Sequence, residues 1–93
     1  MLRSLEVMIP PVAVTVDDAK VEIFEVLKFT FPDGSTRYHV TCRINWRGIK
    51  SRIFFVDVKD TKDLKRKLEI ELSKMKMLYL IGGKKYVEEV VTK

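Results

Sequence analysis

From Tyr38 to Trp46 every second residue is apolar, and polar or cationic residues fill the places between. Tyr38, Val40, Cys42, Ile44 and Trp46 alternate with Arg37, His39, Thr41, Arg43, Asn45 and Arg47. A period of two puts the two sets on opposite faces of a β-strand. One face can enter a core, and the other carries three guanidinium groups and the single histidine. The segments joined to this one by turn sequences repeat the same division.

Lys20–Phe31 reads as a long strand with Val21, Ile23, Glu25, Leu27, Phe29 and Phe31 at its odd positions. The break Pro32-Asp33-Gly34-Ser35 contains Asp-Gly, the dipeptide that tolerates positive φ at both centres of a type I′ hairpin turn. Strand Thr36–Trp46 follows, then Arg47-Gly48, then strand Ile49–Val58. A two-residue turn at Asp33-Gly34 opposes Phe31 to Thr36, Leu27 to Val40 and Ile23 to Ile44. A second at Arg47-Gly48 opposes Trp46 to Ile49, Cys42 to Ile53 and Val40 to Phe55. Both registers gather these residues on one apolar surface. Upstream, Pro10-Pro11 denies two backbone donors to any ladder, Val12–Val16 reads as a short edge strand, and Asp17-Asp18 supplies a turn.

Thr61–Met75 reads as a helix. Asp60 or Thr61 can cap it, and Asp63 places negative charge in its first turn. Leu64, Leu68, Leu72 and Met75 form one apolar stripe, while Lys65 with Glu69 and Lys67 with Glu71 form i,i+4 pairs. Met75 and Met77 read as core filler. Met77–Ile81 leaves two readings open: a helix running to a Gly82-Gly83 cap, or a strand turning there into Lys85–Val91. The β preference of Tyr79, Ile81, Tyr86, Val87, Val90 and Val91 favours the strand. The expected fold is α+β in a single domain, residues 1–93. It has a three-stranded antiparallel meander with one helix on its apolar face and short accessory strands at both ends, in the order β-β-β-β-α-β.

The same registers assign the opposite sheet face. It receives Lys20, Glu22, Phe24, Val26, Lys28 and Thr30, then Arg37, His39, Thr41, Arg43 and Asn45 with Arg47 in the turn, then Lys50, Arg52, Phe54, Val56 and Val58. Seven Lys or Arg stand there against one Glu, a balance of +6 in a chain whose net charge is +5. Arg43 falls opposite Arg52, a like-charge pair that an anion would relieve. Phe24, Val26, Phe54 and Val56 form an apolar patch within it.

A cationic sheet carrying aromatic rings suits nucleic acid, DNA or RNA. Guanidinium groups pair with phosphates and guanine edges, and phenylalanine rings stack on bases. The expected function is therefore non-enzymatic nucleic-acid binding, with Arg37, Arg43, Arg47, Lys50 and Arg52 on phosphates or base edges and Phe24, His39 and Phe54 as apolar or stacking contacts. The competing expectation is an interaction module whose second sheet face is a homodimer or hetero-oligomer interface. Three strands followed by a helix starting at Asp60-Thr61 resemble the three-stranded DNA-binding domains of phage integrases over about Val21–Met75. The resemblance implies groove reading by the sheet face opposite the helix.

Catalysis and metal binding find little support. One cysteine excludes an internal disulfide and multi-cysteine zinc, and one histidine with no carboxylate cluster leaves no metal site. Cys42 and His39 are three apart on a strand and point to opposite faces, and Cys42 reads as a core residue. Glu25 on the core face would be a buried acid, but a bulge, or a strand margin where it meets Arg66 or a lysine of the helix, is the simpler account. Gly82-Gly83-Lys84-Lys85 lacks the spacing of a phosphate loop and reads as a turn. No cofactor, small-molecule substrate or membrane partner is expected. No hydrophobic run approaches a membrane span, and the start Met1-Leu2-Arg3-Ser4 lacks an apolar signal core, which implies a cytoplasmic protein. The absence of Gln and the single Asn, beside abundant Lys, Arg and Glu, match hyperthermophile composition.

Overall fold

The computed structural model describes residues 4–7 and 12–91. Its elements are β1 (Ser4–Val7), β2 (Val12–Val16), β3 (Ala19–Thr30), β4 (Thr36–Trp46), β5 (Ile49–Lys50), β6 (Phe54–Val58) and α1 (Thr61–Val91). The long hairpin of β3 and β4 is the centre of one antiparallel sheet. β1 and β2 pair with separate stretches of β3, and β5 and β6 pair with separate stretches of β4. The expected α+β architecture is present, with Val12–Val16 as an edge strand turning at Asp17, whose φ is 52°. Pro10-Pro11 lies outside the described residues.

β4 obeys its alternation from Val40 onward: Val40, Cys42, Ile44 and Trp46 are buried, and the residues between them are not. Its partners depart from the expected register in two places. Pro32 fixes φ near the value that the second residue of a type I turn needs. The Gly34 amide accordingly bonds the Phe31 carbonyl at 3.0 Å, and Gly34 takes φ 90° as the extra residue of a three-residue loop. Asp33 has no positive φ, so the two-residue turn is not formed there. Thr30 therefore faces Thr36, one step from the expected pairing. A β-bulge at Phe24 adds a second step, so Val21 faces Ile44 and Ile23 faces Cys42 on the core side. Between bulge and loop, Val26 turns inward, while Glu25, Leu27 and Phe29 turn outward. The bulge account of Glu25 holds: its side chain is exposed.

The expected two-residue turn forms at Arg47-Gly48, whose φ of 52° and 77° fit type I′, and Trp46 faces Ile49. The third strand then breaks at Ser51–Ile53. The Ser51 amide donates to the Ile44 carbonyl at 2.8 Å, and the Ser51 hydroxyl accepts the Ile44 amide at 3.0 Å. One side chain thus stands in for a ladder bond. Beyond it the register has slipped by one, so Phe54, Val56 and Val58 face the helix instead of solvent.

Asp60 caps α1, its carboxylate accepting the Asp63 amide at 2.8 Å, and Asp63 in turn accepts the Lys59 amide at 3.2 Å. Leu68, Leu72 and Met75 are buried against the sheet, with Leu64 partly so. Met77, expected in the core, is exposed. Lys65 pairs with Glu69 as expected. Lys67 instead meets Asp63 and the Asp57 carbonyl, and Glu71 pairs with Lys74. The expected C-terminal strand is absent: α1 runs to Val91, broken at Gly83 (φ 76°, ψ −175°). An unbroken helix would hold Met75 and Val90 about 22 Å apart, yet both line one groove with Phe54 and Leu78. The arm 84–91 therefore folds back along the arm 61–82, and Val87 is fully buried. That burial outweighs the β preference of the segment. At the Arg47-Gly48 end a latch ties sheet to helix. Asp18 accepts the Trp46 indole N–H at 3.0 Å and pairs with Lys76 at 2.8 Å, and the Tyr79 ring meets Trp46 edge-on at 5.3 Å.

Candidate functional site

The observed registers redefine the sheet face opposite the helix. It carries Lys20, Glu22, Glu25, Leu27 and Phe29 from β3, Arg37, His39, Thr41, Arg43 and Asn45 from β4, Lys50 from β5, and Phe55 and Asp57 from β6. Four basic residues stand against three acidic ones, so the expected excess of +6 on this face is not there. Instead α1 holds eight Lys or Arg against five Asp or Glu.

The two arginines of this face are also committed to partners. Arg43 faces Glu22, not Arg52, and pairs with it at 2.7 Å, while its guanidinium lies 5.6 Å from the centre of the Phe24 ring. Arg37 meets Asp57 at 3.3 Å. Between these pairs runs an aromatic row. The His39 ring lies 4.5 Å from that of Phe55 at a 31° tilt, and Phe29 meets His39 edge-on at 6.3 Å. Phe55 is 66% exposed, and Ile53 in the adjoining break is 56% exposed. The result is an apolar strip across three strands with opposite charges paired on its flanks.

The eight residues expected to form a binding surface are thus divided. Phe24, Arg37, His39, Arg43 and Lys50 belong to this face or its bulge. Arg47 sits in the hairpin turn, over the rings of Trp46 and Tyr79 at 5.2 and 5.7 Å. Arg52 lines the groove between β6 and α1 together with Glu71 and Lys74, and Phe54 packs on the core side. The one-residue slip at Ser51 separates these two from the rest. Phe29, Ile53 and Phe55 enter the surface without having been expected there. The Phe54-Phe55 doublet was the available signal, since in a strand one of two adjacent rings faces outward in any register.

Among the described residues no group of three His, Cys, Asp or Glu is placed to hold a metal ion. Cys42 is fully buried on the side away from His39, and burial, with the nearby Glu71 carboxylate, pushes its thiol up to about 12. Such a thiol is not a nucleophile at neutral pH. Comparison with family models, with curated proteins and with solved structures finds no match to this chain.

Proposed function

We propose that this chain is an interaction module whose outer sheet face receives a second copy of itself. One observation carries the reading: Phe55, two-thirds exposed, brings the partly buried Phe29–His39 row to the surface while the charges flanking it are balanced and paired. Desolvating such a strip is favourable, and a surface bearing both signs can complement itself across a two-fold axis. Sedimentation equilibrium over a range of concentrations tests it. The expected result is a monomer–dimer equilibrium for the native chain and a monomer for Phe55→Asp, with the circular dichroism spectrum preserved because Phe55 is exposed. A native chain that stays monomeric throughout rejects the reading.

A second reading, nucleic acid on the same face, draws support from the net charge of +5 and from the exposed Phe55 ring on the same face as Arg37. Arg37, Arg43, Arg47 and Lys50 would meet phosphates, and Phe24 and His39 would contact bases. Four such contacts predict a log K against log salt slope of about −4. Titration of the labelled chain with short duplex and single-stranded oligonucleotides decides it. Shifts at Arg37, His39 and Thr41 support this reading, and unshifted amides on β4 reject it.

A further inference from the structure

The helical hairpin ends in an apolar apex. Met77 is 62% exposed, Leu80 85% and Ile81 74%, with Tyr86 beside them at 40%. At 100° per residue Ile70, Met77 and Ile81 fall on the side of α1 opposite the buried Leu68, Leu72 and Met75, so this helix is apolar on two faces. Gly82 and Gly83 follow at once, and the helix breaks there, which leaves Leu80 and Ile81 exposed at the turn between the two arms.

The charge around that tip has one sign along the chain. From Leu72 to Val87 there are four lysines, Lys74, Lys76, Lys84 and Lys85, and no carboxylate. Acidic partners reach it from outside the segment: Glu71 pairs with Lys74 at 3.2 Å, Asp18 with Lys76 at 2.8 Å and Glu88 with Lys84 at 3.8 Å. Arg47 adds a further cation over the Tyr79 ring.

We propose that this apex seats in an anionic lipid surface, with Met77, Leu80 and Ile81 entering the acyl boundary and the surrounding lysines meeting headgroup phosphates. An aliphatic tip ringed by lysines, with tyrosines at its margin, combines the two signals that interfacial binding requires. Nucleic acid is a poorer match, because the three most exposed tip residues, Met77, Leu80 and Ile81, carry no ring on which a base could stack. A second copy placed apex to apex would set lysines against lysines. No helix among the described residues is long and apolar enough to cross a membrane, so the contact is interfacial. It is independent of the sheet face.

Co-sedimentation of the full chain with vesicles tests this. Vesicles mixing phosphatidylserine with phosphatidylcholine should bind the chain about tenfold more tightly than phosphatidylcholine alone. Leu80→Asp with Ile81→Asp should lower that binding about tenfold or more, with unchanged circular dichroism because both side chains stand in solvent. Lys84→Glu with Lys85→Glu should abolish the preference for phosphatidylserine. Native chain that fails to bind either vesicle, or a double aspartate variant that binds as the native chain does, overturns the proposal. So does self-association lost in the double aspartate variant but kept in Phe55→Asp, which would give the apex to a second copy.

Discussion

Glu22 stands directly opposite Arg43 on the central hairpin, and their side chains meet at 2.7 Å, each about two-thirds withdrawn from solvent. Arg43 Nε is buried with no hydrogen-bond partner of its own, so this pair carries most of the compensation for a half-buried cation.

Removing the acid alone should therefore hurt. Glu22→Ala is expected to lower the unfolding free energy by about 1–3 kcal/mol. Arg43→Glu, which sets two carboxylates face to face, should cost at least as much. Urea denaturation of both variants measures this, and values within error of the native chain would remove the structural role assigned to the pair.

Two aspartates give the fold an acid limit. The Arg66 guanidinium, helped by the Lys59 amide, holds Asp63 down at about 2. The Lys76 ammonium, helped by the Trp46 indole, does the same for Asp18. Both lie below the ordinary value of 3.8. A depressed carboxylate stabilises the fold above its unfolded pKa, and that contribution is lost as pH falls through the folded one. The melting temperature should hold steady down to about pH 4 and drop between there and about pH 2. Asp63→Asn and Asp18→Asn should each begin lower and fall less steeply. Unaltered slopes in both would contradict the assignment.

Gly83 occupies a backbone region that only glycine enters without strain. Gly83→Ala should cost about 1–3 kcal/mol and release the arm 84–91 from its seat at Val87. Hydrogen exchange should quicken at amides 84–91 before it changes in β3 or β4.

Cys42 should resist aqueous disulfide reagents in the native protein and react only as fast as the chain unfolds. Cys42→Ser places a hydroxyl in an apolar site and should destabilise by about 1–3 kcal/mol. Rapid labelling under native conditions would place the thiol elsewhere.

Much of this fold is written in local pattern. The alternation of β4, the Leu68–Leu72–Met75 stripe and the Arg47-Gly48 turn all read directly, because each depends on residues close together in the chain. The bulge at Phe24 and the break at Ser51 do not. A one-residue insertion leaves the period of two intact on either side of it, so Val26 and Phe54 fit either face until the ladder is seen. Two such slips in β3 restore parity at Val21 and Ile23, whereas one slip in the third strand exchanges Phe54 with Phe55. The candidate site is the least legible part, because an outer face is defined only as what the core does not claim. Pro32 ahead of Asp33-Gly34 was a legible warning. Nothing comparable marks Ser51, whose role rests on a hydroxyl replacing a main-chain bond.

The outer edges of the sheet come in short, offset lengths: four residues in β1, five in β2, two in β5 and five in β6. None of these offers the long flat template on which chains stack without end into cross-β fibrils. An exposed phenylalanine on β6 is thereby tolerable, since strand margins this short give open-ended growth no continuous ladder to extend.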